Sequence, residues 1–400
     1  MARKLTLDDL IEGCADSSFD DGIRIDAELA PVGGAGSPVK PAIYEGGSYQ
    51  LDQRWASPDD AGPTQVIVID NTPSQANRLE EALRLHRGES EIPEFVLDLS
   101  GLPHLPAHLP RNLSSLQFPH RNGDAYLRDA TLDGKDFIKT GLGRAIFNAT
   151  AQTCGPLMGW FPQALLHGFW QSHLGKKRQN TKHARAWVSE IVGWRPASTE
   201  TRVLGVKGDP LNLSVGEDVL SSDEDRTEWS FAEGGRATGG GKKKKLSEIG
   251  HGQVPFTGAD ATPAAVSFSR ITQRATLSFA HLRRISLGPE GSADADAAAR
   301  ALLAALALYA HRFAFGRGFA LRSGAELRPS ETTLTWLGAN GDETKDLGDS
   351  ESSLQLLRSA RANAASAGVP LDGWGREPTI LLPKKNLETA IASTWPELDN

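Results

Sequence analysis

The segment DADAAARALLAALALYAHRFAFG, residues 294–316, is the strongest helix signal in the chain and the feature that most limits its fold. An Asp near 294 or 296 is placed to cap it. Its apolar run is too short and too interrupted to cross a bilayer. Strand-like segments flank this helix. AVSFSRITQRATLSFAHLRRISL (265–287) alternates and predicts one long strand or a hairpin, and RGFALRSGAELRPSETTLTWLG (317–338) predicts two strands. Upstream, LTLDDLIEGC predicts a short helix and GIRIDAELAPV a strand ending at Pro31. TQVIVID (64–70) suits a buried central strand, and the next residues, NTPSQANRLEEALRLH, suit a helix capped by Asn71 or Thr72 and opened by Pro73 or Ser74. Leu79, Ala82 and Leu83 share a face of that helix, and the strand EFVLDL follows, so a βαβ-like beginning is expected.

Strands interleaved with a few helices and long insertions describe one elaborated α+β domain over residues 1–400. Residues 103–123 look like a loop insertion, and 216–250, with its GGRATGGGKKKK stretch, like a flexible polar one. RDATLDGKDFIKTGLGRAIFNAT leads into a helix. PQALLHGFW and TKHARAWVSEIVGW both carry helical spacing, the second with Gly193 as a stop signal, and GKKRQN forms the tip between them. Trp170 and Trp187 each fit an apolar helical face and are expected in the core.

Charge is segregated along the chain. The net charge is -7, yet residues 137–189 contain no Asp or Glu and carry Lys139, Arg144, Lys176, Lys177, Arg178, Lys182 and Arg185. A second acid-free span, 261–289, carries Arg270, Arg274, Arg283 and Arg284. Acids gather instead at 216–229 and 341–352. Local sign rather than net charge decides what a groove attracts. In the basic segment, Gln179 and Asn180 accompany the cations and tryptophans flank them, a composition suited to phosphates, sugars and bases. The bland alternative is a solvated charged face. With two cysteines and no signal peptide at the start, a reducing, cytoplasmic setting is expected.

Enzyme motifs are largely missing. There is no G-x-x-x-x-G-K-[ST], no H-E-x-x-H and no G-x-S-x-G. Asp70, at the end of VIVID, reads as a structural or capping acid, and Cys154 as a small buried residue. His104 and His108 have the separation of a metal pair, but Pro106 breaks the helix that would give it meaning, so no metal and no cofactor is expected. For each histidine a satisfied or solvent-facing side chain is the default. His173 and His183, among Lys and Arg, suit phosphate contact or base stacking.

Several stretches together resemble a known family: IDNTPSQANRLEEAL, HRNGDAYLRDA, FPQALLHGFWQSH, KHARAWVSEIVG, LSEIGHGQVPF and GRGFALRSGAEL. It is the RAMP-type backbone subunit of CRISPR Cascade complexes, the Cas-seven class, in its type I-U (I-G) version. The resemblance implies a ferredoxin-like (RRM-like) palm with large finger and thumb insertions. It also implies many copies aligned along one CRISPR RNA, presenting its bases to target DNA. The partners so implied are neighbouring copies, a large subunit, an RNA-processing or end-capping subunit and a separate helicase–nuclease, with no membrane. No acid here matches the one with which related effector complexes cleave RNA, so a non-catalytic scaffold is expected.

The resemblance assigns no RNA contact residue by residue, and the candidates rest on charge and context. Lys176, Lys177, Arg178, Lys182 and Arg185 lead, with His173 beside them and Arg270 and Arg274 opposite. Arg317 and Arg322 join the set because Gly316 and Gly318 permit close backbone approach, the alternative for that pair being an ion pair with Glu326. The Lys242–Lys245 run is either a solvated loop or a mobile tip. The rival function is a RAMP-like, metal-independent ribonuclease using His173 or His183 as acid or base. A third is an adaptor docking its basic segment on an acidic protein.

Overall fold

The computed structural model describes residues 2–395 apart from 45–46, 58, 103–104, 172–180, 198–200, 203–218, 222–228, 232–241 and 250–261. Helix α1 (Leu7–Cys14) opens the chain behind a capping box of Thr6 and Asp9. Strands β1 (Gly22–Pro31) and β2 (Thr64–Asp70) follow, then helix α2 (Thr72–Leu85) and strand β3 (Phe95–Asp98). Next come helix α3 (Pro162–His167), strands β4 (Phe169–Gln171) and β5 (Thr181–His183), and strand β6 (Trp187–Pro196). The second half contributes β7 (Phe268–Ser278), helix α4 (Ala293–Phe315), β8 (Glu326–Gly338), helix α5 (Ser350–Ser366) and β9 (Thr379–Pro383).

A nine-stranded sheet is built around β8–β1–β7–β6, each antiparallel to its neighbour, with β2 beside β6 and Leu51–Arg54 at the edge. Counted along the chain, these central four stand in the order last, first, third, second. Alternation decides which face is covered. Ile23, Ile25, Ala27 and Leu29 of β1 are buried while Arg24, Asp26 and Glu28 are not, and β7 repeats the pattern with Ile271, Gln273, Ala275 and Leu277 inward. On the apolar face lies α4, nearly every residue of it buried, packed against α1, α2, α3 and α5. Ser292 caps it, accepting from the Ala295 amide at 3.1 Å, in place of the expected Asp. Asp296 instead accepts the Leu287 amide at 2.8 Å, and Asp294 joins it in the first turn, where acids favour the helix dipole. Among the described residues α4 is the helix long and apolar enough to span a membrane, and the share of it buried in the protein accounts for that apolarity.

The α+β reading is correct, and α1, β1, β2, α2 with its Asn71 cap, α4 and the strands after it stand where the sequence puts them. Other expectations fail. TKHARAWVSEIVGW is not a helix but two strands, β5 and β6. Trp187, Ser189 and Ile191 point inward and Val188 outward, a period of two that coexists with the helical one, and pairing to β7 and β2 on both sides selects the strand. Gly193 is no stop signal: a Cβ there would lie 2.4 Å from the Phe268 ring, so the glycine admits that ring. The β2–α2–β3 run is not a βαβ unit of one sheet either. β3 leaves for a second, five-stranded sheet, where it pairs in parallel with β9.

The two insertions contain structure among their described residues. Within 103–123 lie a strand, Asn112–Ser114, and two single-turn helices. Within 216–250, Val219–Ser221 pairs with Trp229–Phe231 on one side and Lys242–Lys244 on the other.

Candidate nucleic-acid interface

Near the end of the acid-free segment β4 and β5 pair antiparallel, with Phe169 in the hydrophobic core. Gly168 ends α3 at φ +75°, and a Cβ there would meet the His183 carbonyl at 2.8 Å, so only glycine makes this turn without strain. In the hairpin Phe169 faces His183 across the strands, and Trp170 faces Lys182. The first pair is buried, its rings 5.6 Å apart, with His183 Nε2 hydrogen-bonded to the Leu165 carbonyl at 2.9 Å. Gln171 anchors the strand by donating to the Phe147 carbonyl at 2.8 Å. Alternation therefore turns Trp170 and Lys182 to solvent on the other face.

Two adjoining cavities of about 910 and 330 Å³ meet at Lys182, His183, Ala184 and His281. The larger is walled by His120, Arg121, Arg128, His167, Trp170 and Arg185, and the smaller adds Gln152 and Arg284. Among the described residues no carboxylate lines either one. Arg121 is held from behind by Glu80, with bonds of 2.6 and 2.8 Å, and donates to the Gly168 carbonyl at 3.1 Å. Burial raises the Glu80 carboxyl above its ordinary value against the pull of Arg121. Arg185 is different: half-buried, it has no carboxylate within ion-pair distance among the described residues, and burial and then Arg121 lower its pKa against the opposing pull of Glu80. A half-buried guanidinium without an ion-pair partner is suited to an anion or a polar ligand edge.

The sequence-predicted residues separate into groups. Lys182 and Arg185 line the groove, whereas His173, Lys176, Lys177 and Arg178 lie outside the described residues. Arg270 and Arg274 sit on the open face of the sheet, where Arg270 pairs with Glu28 at 2.8 Å and Arg274 with Asp26 at 2.6 Å. From that acid-free span it is Arg284 that reaches the groove, while Arg283 is spent on the Gly13 and Asp20 carbonyls. Arg317 is exposed at a separate cavity of about 470 Å³ beside Leu85 and Phe319. Arg322 donates to the Lys40 and Ile69 carbonyls and to Asp70 at 3.0 Å, so its carboxylate partner is Asp70 rather than Glu326. Asp70 is the structural acid expected: fully buried, it also accepts from Ser74, Gln75 and Arg78.

Trp187 is core, as expected, but Trp170, 64 % exposed, is not. Arg121, Arg128, His281 and Arg284 escaped sequence reasoning. Only the acid-free span and the HRNG turn, where Arg121 takes φ +52°, pointed toward any of them. His183 and His167 are buried, and burial lowers both, His167 well below the ordinary imidazole value. Cys154 is buried and its thiol pushed up to about 12. Among the described residues no cluster of three potential metal ligands exists.

Residues 23–197 match the family model described as CRISPR-associated protein GSU0053. The match runs from β1 through β6 and contains most of the groove, including Arg121, His167, Trp170, Lys182 and Arg185, but not Arg284. No curated protein matches the chain.

Proposed function

We propose that this chain, whose residues 23–197 match a CRISPR-associated family model, is a CRISPR-RNA-binding backbone subunit, of the Cas-seven type, in a type I-U (I-G) Cascade surveillance complex. Copies of it polymerise along the guide and present its bases to target DNA, beside a large subunit, an RNA-processing or end-capping subunit and a helicase–nuclease. The central strands β8–β1–β7–β6 would be its ferredoxin-like palm: their order, with α4 joining β7 to β8, supports that reading. The observation that carries the proposal is the carboxylate-free groove at the hairpin root, on a chain of net charge -7. Lys182, Arg185 and Arg284, with no carboxylate partner among the described residues, can bind phosphates and release counterions, while Trp170 offers a stacking face.

The role is non-catalytic. His183 is tied to a carbonyl and kept neutral, which suits packing more than proton transfer. Purification with and without ribonuclease tests the proposal: large assemblies rich in 260 nm absorbance should collapse on RNA digestion. RNA-free material of unchanged size would refute it. Replacing Lys176, Lys177 and Arg178 together by Ala should lower the salt dependence of RNA binding by up to about three units of log–log slope, equally for all sequences.

A further inference from the structure

Two large apolar side chains are more exposed than any other among the described residues: Phe19, at 84 %, and Leu85, at 65 %. Phe19 stands on a segment pinned by its neighbours. Asp16 holds Arg300 at 2.7 Å, Asp20 accepts from Trp336 Nε1 at 3.0 Å and from the Ala339 amide at 2.9 Å, and Arg283 donates to the Asp20 carbonyl at 2.9 Å. The ring is held out in a fixed place, so a partner that receives it loses little in ordering it. Beside it Asp21 is exposed, with no ion-pair partner among the described residues. Leu85 instead walls the cavity of about 470 Å³ with the half-buried rings of Phe313 and Phe319. Glu81 lines that cavity too but is held by Arg84, with two bonds of 2.7 Å, whereas the exposed Arg317 has no ion-pair partner among the described residues.

The ring and the cavity lie at opposite ends of the molecule. Asp21 precedes the first residue of β1, while Pro31, the last, pairs with Leu327, which pairs with Phe319. Along α4, Arg300 beside Asp16 and Phe313 at the cavity stand about 20 Å apart. A protruding ring and a receiving cleft so placed cannot meet within one copy. Between copies they make a heterologous contact, which repeats head to tail. Charge agrees, with Asp21 beside the ring and Arg317 at the cleft. We propose that Phe19 of one copy seats in the cleft of Leu85, Phe313 and Phe319 on the next, with Asp21 meeting Arg317, and that this contact joins successive copies. The inference rests on the reading of a polymer along RNA and names the surface that joins its members. None of these residues lines the basic groove, so the contact leaves the groove open to RNA of any sequence.

The test titrates full-length protein, freed of RNA, onto a long labelled polyuridine strand and follows assembly size by sedimentation velocity. Unmodified protein should fill the strand cooperatively. Phe19→Asp and Leu85→Glu, both at exposed side chains, should each raise the concentration that fills it by about tenfold. Binding of the first copy, read at limiting protein, should change by less than about twofold. Asp21→Arg and Arg317→Asp should each weaken filling, and the two in one chain should restore it, because every junction then regains an opposite pair. Non-cooperative filling by the unmodified protein, or filling unaltered by Phe19→Asp and Leu85→Glu, overturns the interface and leaves the RNA-binding reading standing. Absence of rescue in the charge-swapped chain overturns the pairing of Asp21 with Arg317. Failure of the unmodified protein to bind the strand overturns the RNA-binding reading itself.

Discussion

Trp170 and Trp187 stand seventeen positions apart in one acid-free segment and fare oppositely: 64 % exposed and 2 % exposed. Trp170→Ala should therefore leave the melting temperature unchanged and weaken RNA binding by about 1–3 kcal/mol, measured by anisotropy. Trp187→Ala should cost about 3–5 kcal/mol of stability in a denaturant titration, because the indole leaves a core cavity. Arg322 and Arg185 divide the same way. Arg322→Ala removes one partner of a fully buried Asp70, though Arg78 remains, and should destabilise the fold by about 1–3 kcal/mol with the salt slope of RNA binding unaltered. Neither split can be read from composition, since each pair is chemically identical in sequence. The burial of Cys154 and the structural role of Asp70, by contrast, were legible, because no surrounding motif gave either another use.

Among the elements, the hairpin β4–β5 shows what local pattern leaves open. Leu165, Leu166 and Phe169 do lie at helical spacing, but Gly168 ends the helix before Phe169, and the ring enters a strand instead. That turn is testable: Gly168→Ala places a Cβ at φ +75° and 2.8 Å from the His183 carbonyl, and should cost about 1–3 kcal/mol. It should also weaken RNA binding by displacing Trp170 and Lys182, whereas an unchanged melt would contradict the tight turn. The strand β6 teaches the same point from the other side. Its residues satisfy both periods, and the hydrogen bonds offered by β2 and β7, far away in sequence, choose between them.

Across the whole molecule, three buried imidazoles, His167, His183 and His311, link stability to pH. Burial lowers each, His311 to about 4. Their neutral forms fit the native state, while the unfolded chain takes up protons near its ordinary pKa of about 6.5. The unfolded state then holds more protons below that pH, so stability is complete above about pH 6.5 and is lost as pH falls toward about 4. Melting temperatures should fall between about pH 7 and about pH 5, and His311→Leu should flatten part of that decline. A pH-independent melt would mean that the folded and unfolded chains bind protons equally, against the lowering that burial imposes on these rings. The sequence by itself determined the α+β class, the long apolar helix, the strands whose alternation is unambiguous and the segregation of charge, because these follow from residue order within one element. Only the tertiary structure decided which cations are free. Asp26, Glu28, Glu80 and Asp70 come from other parts of the chain to claim Arg274, Arg270, Arg121 and Arg322, and among the described residues none pairs with Arg185 or Lys182 in the groove. Pairing is a matter of distance in space, and sequence spacing carries no record of it.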